Sequence, residues 1–503
     1  MTTESADETT ILNKTSTFQS ITSRTDEKDD DTYRKIIKSR LATDTNTIVV
    51  VLDDDPTGTQ TVYDIPVLTS WSEQVLENEI VTHKSAAFYV LTNSRSMTAT
   101  EAEEVNKVIA TRLVNITQKR GLSLSLISRS DSTLRGHYPL EIDALASVLG
   151  EKMTTPVDGH IVMPFFLEGG RYTLNDIHYV AEGDDLVPAA MTPFAKDKAF
   201  GFTRSNLKHY VEEKTKGRTL AKDVISITLD DLRGGNGPNA VRNKLNLLSN
   251  GAVATVNALS LRDVEVLVLG LLDATSIDGK NILVRSAASF VQARLGLEKR
   301  SIVNASVINN GEQQRGGLVV VGSYVPKSTK QLRALLDFGE QGKVNIEPIE
   351  INVDDIFSDD GVTEEIKGPV QTILTNTCTK VEKALSSGVH AVVYTSRKLV
   401  SGNTPEESLE IGNTVSSLLV DIVKSLLSAP RFIVAKGGIT SSDVATKGLG
   451  VKRATVLGQA SQAVPVWSIG EESKFPGMSY VVFPGNVGAE DDLAKLVERL
   501  SGV

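Results

Sequence analysis

The sequence predicts an α/β protein made of two domains with mainly parallel sheets. Short runs rich in Val, Ile and Leu alternate with helical patterns along most of the 503 residues, as expected of strand–helix–strand units. Glycine-bearing polar turns follow several of these runs, and in open α/β sheets ligands bind beyond the carboxyl ends of the strands. A polar stretch at 309–316 separates two series of runs, which places the domain boundary near residue 313.

The composition excludes several classes of protein. The formal net charge is −10 and 5% of the residues are aromatic, so the chain lacks the basic and base-stacking surfaces of nucleic-acid-binding proteins. No apolar run reaches the roughly 18 residues of a membrane helix, and the single Cys378 excludes an intramolecular disulfide. Acidic residues near the N-terminus disfavour a mitochondrial presequence. We therefore expect a cytoplasmic protein with no nucleic-acid or membrane partner.

The first 45 residues are rich in Ser, Thr and Asp and predict a disordered or loosely ordered tail, with a short helix from about residue 33. An N-terminal domain is expected over 46–312. Its predicted strands are 47–52, 86–91, 123–127, 160–163, 223–227, 252–256 and 281–284, with helices at 100–118 and 138–149.

A C-terminal domain is expected over 313–503. Its predicted strands are 318–321, 345–351, 391–395, 432–435 and 481–483. No repeat of the kind found in solenoid proteins is present.

Three carboxylates follow the first strand of the N-terminal domain, in the run Asp53-Asp54-Asp55-Pro56-Thr57. Adjacent carboxylates repel one another, and a fold tolerates them most readily beside a cation, in a proton-transfer role or with good hydrogen bonding. The alternative is a solvated turn, because Asp-Pro and Thr-Gly are good turn formers.

A second polar segment follows strand 123–127 and contains Arg129, Asp131, Ser132 and Arg135. Arg suits a carboxylate ligand, whereas Asp and Ser suit sugar hydroxyls. Capping of the next helix by hydroxyl residues is the alternative. A third segment places Arg171 in a glycine turn after strand 160–163.

Two histidines, His137 and His178, are either ligands or bases, or else structural residues. No His/Cys spacing resembles a zinc site, and no metal ligand is assigned. The Gly-x-Ser-x-Gly elbow of hydrolases is absent.

Three turns in the C-terminal domain combine glycine with small polar or hydroxyl residues. They are Gly322-Ser323-Tyr324, Lys436-Gly437-Gly438-Ile439-Thr440 and Pro484-Gly485-Asn486-Val487-Gly488. Such turns let backbone N–H groups approach phosphate oxygens, which predicts a nucleotide site. The Walker A pattern is absent, so the site is not a standard P-loop. Tight turns ahead of capped helices are the alternative.

Two other functions remain open. The run Asp53-x-Asp55-x-Thr57 after a strand matches the start of haloacid-dehalogenase phosphatases, with Asp53 as nucleophile and Asp55 as acid/base. That function leaves the C-terminal glycine turns without a role, and the acidic pair expected on a later strand is not found. A non-catalytic nucleotide or metabolite sensor is the other alternative.

The chain resembles the four-carbon acid sugar kinase family over about residues 47–500. The resemblance rests on the shared order of short motifs: Asp54-Asp55-Pro56-Thr57-Gly58, Asp131-Ser132-Thr133-Leu134-Arg135-Gly136, Gly170-Arg171-Tyr172-Thr173 with His178-Tyr179-Val180, Gly322-Ser323 with Thr329 and Gln331, and the last two glycine turns above. The sequence departs at Pro56, where the family often has Phe, which leaves the identity of the acceptor open.

The resemblance implies an ATP-dependent kinase that phosphorylates a hydroxyl of threonate, erythronate or an oxo-tetronate in carbohydrate acid catabolism. An N-terminal substrate domain and a C-terminal nucleotide domain would enclose the active-site cleft, with ATP and Mg²⁺ as cofactors. A homodimer is left open. The ATP-contacting positions that carry over are Ser323, Gly437, Gly438, Ile439, Thr440 and Gly485.

Combined with the side-chain chemistry above, the resemblance also assigns roles in the N-terminal domain. Either Asp54 or Asp131 is expected to be the catalytic base. The expected substrate-binding residues are Asp55, Thr57, Arg129, Ser132, Arg135 and Arg171, with Arg135 and Arg171 on the carboxylate of the acid.

Overall fold

The computed structural model of the chain describes residues 7–22, 31–153, 156–323, 325–356, 367–397 and 405–502. Its strands are β1 Leu12–Asn13, β2 Thr47–Asp53, β3 Pro66–Leu68, β4 Ala87–Leu91, β5 Ser123–Arg129, β6 Gly159–Met163, β7 Arg171–Leu174, β8 Ile177–Glu182, β9 Asp185–Pro188, β10 Ile225–Ile227, β11 Ala252–Val256, β12 Ile282–Ser286, β13 Leu318–Val321, β14 Ile346–Ile351, β15 His390–Thr395, β16 Ile433–Lys436, β17 Arg453–Ser461, β18 Val464–Ile469 and β19 Ser479–Phe483.

The α-helices of the described residues are α1 Lys14–Thr22, α2 Thr32–Thr43, α3 Glu73–Glu77, α4 Ala99–Arg120, α5 Leu140–Lys152, α6 Leu207–Lys214, α7 Leu229–Arg233, α8 Gly237–Leu245, α9 Leu261–Ser276, α10 Ala288–Arg294, α11 Ala305–Ile308, α12 Pro326–Glu340, α13 Lys367–Ser386, α14 Pro405–Lys424, α15 Gly438–Asp443 and α16 Asp492–Ser501. None of them is long and apolar enough to cross a membrane.

The chain divides into two compact units. The first contains residues 1–62 and 70–299, and the second contains residues 63–69 and 300–503. Each unit has its own sheet with helices packed against it. The predicted α/β fold with two domains and mainly parallel sheets is confirmed.

The main sheet of the first unit has seven parallel strands in the order β10-β11-β6-β12-β5-β2-β4. Strand β2 is buried along almost its whole length, with Val49, Val50 and Val51 each no more than 1% exposed, because helices cover both faces of a parallel sheet. In register, Asp53 at the end of β2 lies beside Arg129 at the end of β5, and Arg129 lies beside Ser286 of β12. The polar segments that follow these strands therefore share one edge of the sheet.

A second, antiparallel sheet of the first unit has the order β1-β9-β8-β7 and was not predicted. Arg171 is the first residue of β7, immediately after the turn at 167–170, rather than a residue within the turn. Strand β1 comes from the segment predicted as a tail, and Leu12 pairs with Leu186. In the same segment, the Glu8 carboxylate accepts hydrogen bonds from the Ser205 and Asn206 N–H groups at 2.9 Å each.

The sheet of the second unit has eight strands in the order β3-β17-β18-β19-β16-β13-β15-β14. The five strands from β19 to β14 are parallel and were predicted, whereas the antiparallel strands β3, β17 and β18 were not. The core is apolar, with Val319, Phe432 and Val481 fully buried. Because Val321, Lys436 and Phe483 are in register, the turns that follow β13, β16 and β19 lie side by side.

Candidate functional sites

Arg95 holds the acidic run after β2 together. Its Nε donates to Oδ2 of Asp54 at 3.1 Å, Nη2 donates to Oδ1 of Asp54, and Nη1 donates to Oδ2 of Asp55 at 3.2 Å. Asp54 is 2% exposed, and its Oδ2 also accepts from the Ser130 hydroxyl at 2.6 Å. Burial raises the pKa of Asp55, but the charge of Arg95 and hydrogen bonds from Thr57 outweigh burial and lower that pKa. Arg95 was not singled out from the sequence.

Asp53 is enclosed by the protein. It is 1% exposed, its Oδ1 accepts from Nη1 of Arg129 at 3.1 Å, and its Oδ2 has no hydrogen-bond partner among the described residues. A Cβ on Gly58 would lie 1.9 Å from that Oδ2, so a side chain at position 58 would collide with the carboxylate. Burial raises the pKa of Asp53 to about 7, against the opposing charge of Arg129. Asp53 is therefore not positioned to attack a phosphate ester as a phosphatase nucleophile.

Thr57 and Asp55 close a short turn. The Asp55 Oδ1 accepts from the Thr57 N–H at 2.8 Å and also from its hydroxyl, and so caps the 3₁₀ helix Pro56–Thr59. Both residues are thus engaged with each other at the edge where β2 ends.

The loop after β5 presents a second carboxylate. Oδ2 of Asp131 accepts from Nε of Arg135 at 2.7 Å and from the Thr133 hydroxyl, while Oδ1 makes no hydrogen bond with any described residue. Burial acts to raise the pKa of Asp131, but the charges of Arg135 and Arg95 outweigh it and hold that pKa well below its ordinary value. The lowered pKa favours the ionised form of Asp131, and its Oδ1 is not used by a hydrogen bond to a described residue.

Two arginines predicted to bind the substrate meet at one aromatic ring. The Arg135 guanidinium carbon lies 5.1 Å from the centre of the Phe194 ring, and that of Arg171 lies 5.9 Å from it. Arg135 is paired with Asp131, but Arg171 makes no side-chain hydrogen bond or ion pair with any described residue, and its Nε is buried. Burial lowers the pKa of Arg171. Asp131 and Glu182 oppose this shift through their charge, but neither lies within ion-pair distance of Arg171. A largely enclosed cation that no carboxylate contacts favours an anionic ligand.

Ser132 and the two candidate histidines have structural contacts. The Ser132 carbonyl accepts from Nε2 of the buried His178 at 2.8 Å, and burial lowers the pKa of His178 to about 4. His137 bonds through Nε2 to the carbonyls of Ser94 and Met97 at 3.1 Å each. These contacts fix the loop after β5 rather than present a base.

A buried polar network that was not predicted supports the same edge. Arg285 of β12 donates to Oε2 of Glu141 at 3.0 Å and to the Ser130 hydroxyl at 2.9 Å, and Ser130 in turn bonds Asp54. A small pocket opens beside this network, lined by Ser130, Asp131, Leu134, Val162, Pro164, Tyr210, Arg285 and Ser286.

In the second unit, the Ser328 hydroxyl links Ser323 to Gly485. The Ser328 hydroxyl of α12 lies 3.0 Å from the Ser323 hydroxyl and 3.0 Å from the Gly485 carbonyl. Gln331 holds the rest of the last turn through the Val487 and Ala489 carbonyls, at 3.0 and 2.8 Å. Tyr324, which was predicted as part of the first turn, lies outside the described residues.

The second of the three glycine turns, at 436–440, packs closely against Ser323. Gly437 has φ of 120°, and a Cβ there would lie 2.8 Å from the Cβ of Ser323, so only glycine fits. Thr440 is buried beside Gly322, Gly438 is half-buried, and Ile439 is 58% exposed. The structure thus brings together the three turns that were predicted separately.

No magnesium ligand is assigned among the described residues. They contain no group of three His, Cys, Asp or Glu side chains arranged to bind a metal ion.

Comparisons with known proteins divide the chain in a similar way. A family model described as a sugar-binding N-terminal domain matches residues 49–294, and one described as a nucleotide-binding C-terminal domain matches residues 318–493. No curated protein matches the chain.

Two solved structures share the fold. A putative tRNA synthase from Salmonella typhimurium LT2 has a TM-score of 0.63 at 17% identity and covers 90% of this chain and 98% of its own. A Haemophilus influenzae protein of family DUF1537 has a TM-score of 0.57 at 18% identity and covers 90% of this chain and 99% of its own. The domain matches span most of the chain, and the shared fold agrees with them. The chain therefore belongs to the family whose members join a sugar-binding N-terminal domain to a nucleotide-binding C-terminal domain, which is the architecture of the four-carbon acid sugar kinases.

Proposed function

We propose that this protein is an ATP-dependent kinase that phosphorylates a hydroxyl group of a four-carbon acid sugar. The observation that carries the proposal is the Arg171 guanidinium, whose Nε is buried, which lies over the Phe194 ring beside Arg135, and which no carboxylate of the described residues contacts. A sugar acid supplies the missing carboxylate, and Arg recognises carboxylates through paired hydrogen bonds.

Asp131 is our candidate for the group that orients the attacking hydroxyl. Its Oδ1 is available, and its neighbours Arg135 and Arg171 would hold the carboxylate of the same small acid. Phosphoryl transfer asks mainly for positioning and charge stabilisation, so a carboxylate with a lowered pKa is adequate for this role. Asp54, the other candidate, has both oxygens occupied by Arg95 and Ser130, and we assign it to holding the strand ends together.

The remaining predicted residues divide into two groups. Asp55 and Thr57 shape the turn after β2, Ser132 lies in the loop after β5, and Arg129 donates a hydrogen bond to Asp53. On the nucleotide side, we assign ATP contacts to the second unit. The residues are Ser323, Gly437, Gly438, Ile439, Thr440 and Gly485. Mg²⁺ would be carried by the ATP phosphates, since it usually keeps several waters and takes few protein ligands.

The proposal is tested by measuring ADP release from Mg²⁺-ATP by the purified protein across threonate, erythronate and their oxo derivatives. We expect release that depends on one of these acids. Release without any acid would indicate an ATPase, and binding of ATP without turnover on any acid would favour the sensor.

The phosphatase is not supported as a second candidate. Its nucleophile would be Asp53, which is enclosed and paired with Arg129. It would also leave the nucleotide-binding domain without a role.

A further inference from the structure

Two basic side chains of the second unit bond to the glycine turns and have no carboxylate partner among the described residues. Arg397 follows β15, and Lys436 is the last residue of β16. Within the part of the chain that the structure describes, neither is within ion-pair distance of an Asp or Glu, and their side-chain hydrogen bonds go to carbonyl or hydroxyl oxygens. Partly or fully buried charges are normally paired.

Arg397 holds the backbone at the carboxyl ends of two strands. Its Nη1 donates to the Ser323 carbonyl at 2.7 Å, and its Nε and Nη2 donate to the Thr395 carbonyl at 2.9 and 2.6 Å. Burial lowers the pKa of Arg397, although more distant groups such as Glu350 oppose this effect. Nη1 has a second N–H that these bonds do not use.

Lys436 is more deeply enclosed. It has no exposed surface, its Nζ donates to the Pro484 carbonyl, and the same Nζ lies 4.4 Å from the centre of the Phe483 ring. The charged group that acts on it is another cation, Lys327 of α12. The neighbours in register, Val321 and Phe483, are apolar.

Arg397 and Lys436 each donate to a carbonyl of a glycine turn, and these two turns meet at Ser323. The Ser323 carbonyl accepts from Arg397, and the Ser323 N–H donates to the Lys436 carbonyl at 3.4 Å. The Lys436 ammonium holds Pro484, whose neighbour Gly485 accepts from Ser328 beside Ser323.

We propose that Arg397 and Lys436 supply the positive charge for the phosphate chain of a nucleoside di- or triphosphate in this unit. Arg397 would contact a phosphate through its remaining N–H. Lys436 would be a positioning residue that acts through the Pro484–Gly485 turn. This inference rests on the proposed function, because it takes the ligand of the second unit to be a nucleotide. Both residues belong to turns that the sequence associated with the nucleotide site, but neither was named among the ATP-contacting residues.

The charge of Lys436 gives the inference a signature that a purely structural lysine would lack. Burial and the charge of Lys327 lower the pKa of Lys436 to about 7, so much of it is neutral at pH 8. A phosphate chain brought near the ammonium favours its charged form. Nucleotide binding at pH 8 should therefore take up protons from the buffer.

The test is calorimetric titration of the full-length protein at pH 8 with ADP and, separately, with adenosine. Titrations in Tris and in HEPES, which differ in ionisation enthalpy, give the number of protons taken up. The variants are Arg397→Met, Arg397→Lys and Lys436→Met. Lys330→Met is the control. Lys330 is a lysine of the same unit, on α12, but its side chain is 62% exposed and paired with Glu490.

We expect the wild-type protein to take up protons with ADP but not with adenosine. Arg397→Met should weaken ADP binding about tenfold or more, as expected for loss of one charged hydrogen bond, and leave adenosine binding unchanged. Arg397→Lys should recover part of that loss. Lys436→Met should abolish proton uptake, and Lys330→Met should behave as wild type.

Wild-type ADP affinity in Arg397→Met, together with no proton uptake by the wild-type protein, would overturn this inference and leave the proposed function standing. No binding of ADP or ATP by the wild-type protein would overturn both. If Lys436→Met fails to fold, proton uptake by the wild-type protein and the Arg397 variants still decide the question.

Discussion

Arg95 binds Asp54 through two nitrogens, with Nε on Oδ2 at 3.1 Å and Nη2 on Oδ1. Both oxygens of the carboxylate that begins the first family motif are therefore occupied. The same guanidinium reaches Asp55, so one cation compensates two of the three adjacent acids. This arrangement explains how the acidic run is tolerated at the end of a buried strand.

Replacing Arg95 by Met should destabilise the first unit by about 3 kcal/mol or more, because Asp54 is left buried without its counter-ion. Urea unfolding measures the change. Arg120→Met is the matched control, since its pair with Glu77 is on the surface with side chains 42% and 33% exposed. The control substitution should lower the free energy of unfolding by about 1 kcal/mol or less. Equal losses in the two variants would show that Arg95 has no special role.

Replacing Arg171 by Met should raise the KM for the sugar acid by about 10- to 100-fold, the cost of losing a charged hydrogen bond or two, and leave the KM for ATP unchanged. Arg135→Ala should act in the same direction. Arg218→Met serves as the control, because its pair with Asp143 is on the surface. Equal effects on both KM values would argue against a carboxylate contact.

Asp131 and Asp54 should respond differently to replacement by Asn. Asp131→Asn should lower kcat by about 10²-fold or more, as for loss of a group that assists proton transfer. Asp54→Asn should mainly lower the free energy of unfolding. Because the pKa of Asp131 lies well below its ordinary value, kcat at saturating substrates should not fall between pH 7 and pH 5 through this group. A loss of kcat with a midpoint near pH 7 would contradict this assignment.

Asp53 should make the folded protein less stable as the pH rises. In the unfolded chain this carboxyl loses its proton near pH 4, whereas the folded protein keeps it until about pH 7. The folded state thus binds more protons between these values, and its stability falls as pH increases through them. Asp53→Asn removes this effect. Its free energy of unfolding relative to wild type should rise from pH 5 to pH 7.5 by on the order of 2 kcal/mol. If the free energy of unfolding of the variant relative to wild type did not change with pH, Asp53 would be ionised throughout this range.

Much of the fold was predictable because β-branched runs such as 47–52 and 318–321 have few alternatives to a buried parallel strand. The antiparallel strands β7, β8 and β9 were missed. They are short and mix polar with apolar residues, as in Arg171–Leu174 and Asp185–Pro188.

The sites were predicted in part for a similar reason. Glycine turns and clusters of Asp and Arg can be recognised from a few consecutive residues of the sequence. Gly437 indeed has the positive φ that such a turn requires. Arg95 and Arg285 were not visible, because their partners Asp54 and Glu141 lie 41 and 144 residues away in the sequence. Such pairs form only when the sheet brings the strand ends together.

The central claim is that a phosphoryl group passes from ATP to a sugar acid held by Arg135 and Arg171. The most direct measurement is mass spectrometry of the acid after incubation with the protein and Mg²⁺-ATP, with ADP and inorganic phosphate quantified in parallel. We expect a phosphorylated four-carbon acid in amounts equal to the ADP formed, and its loss in Arg171→Met. Inorganic phosphate equal to ADP, with every acid unchanged, would contradict the account.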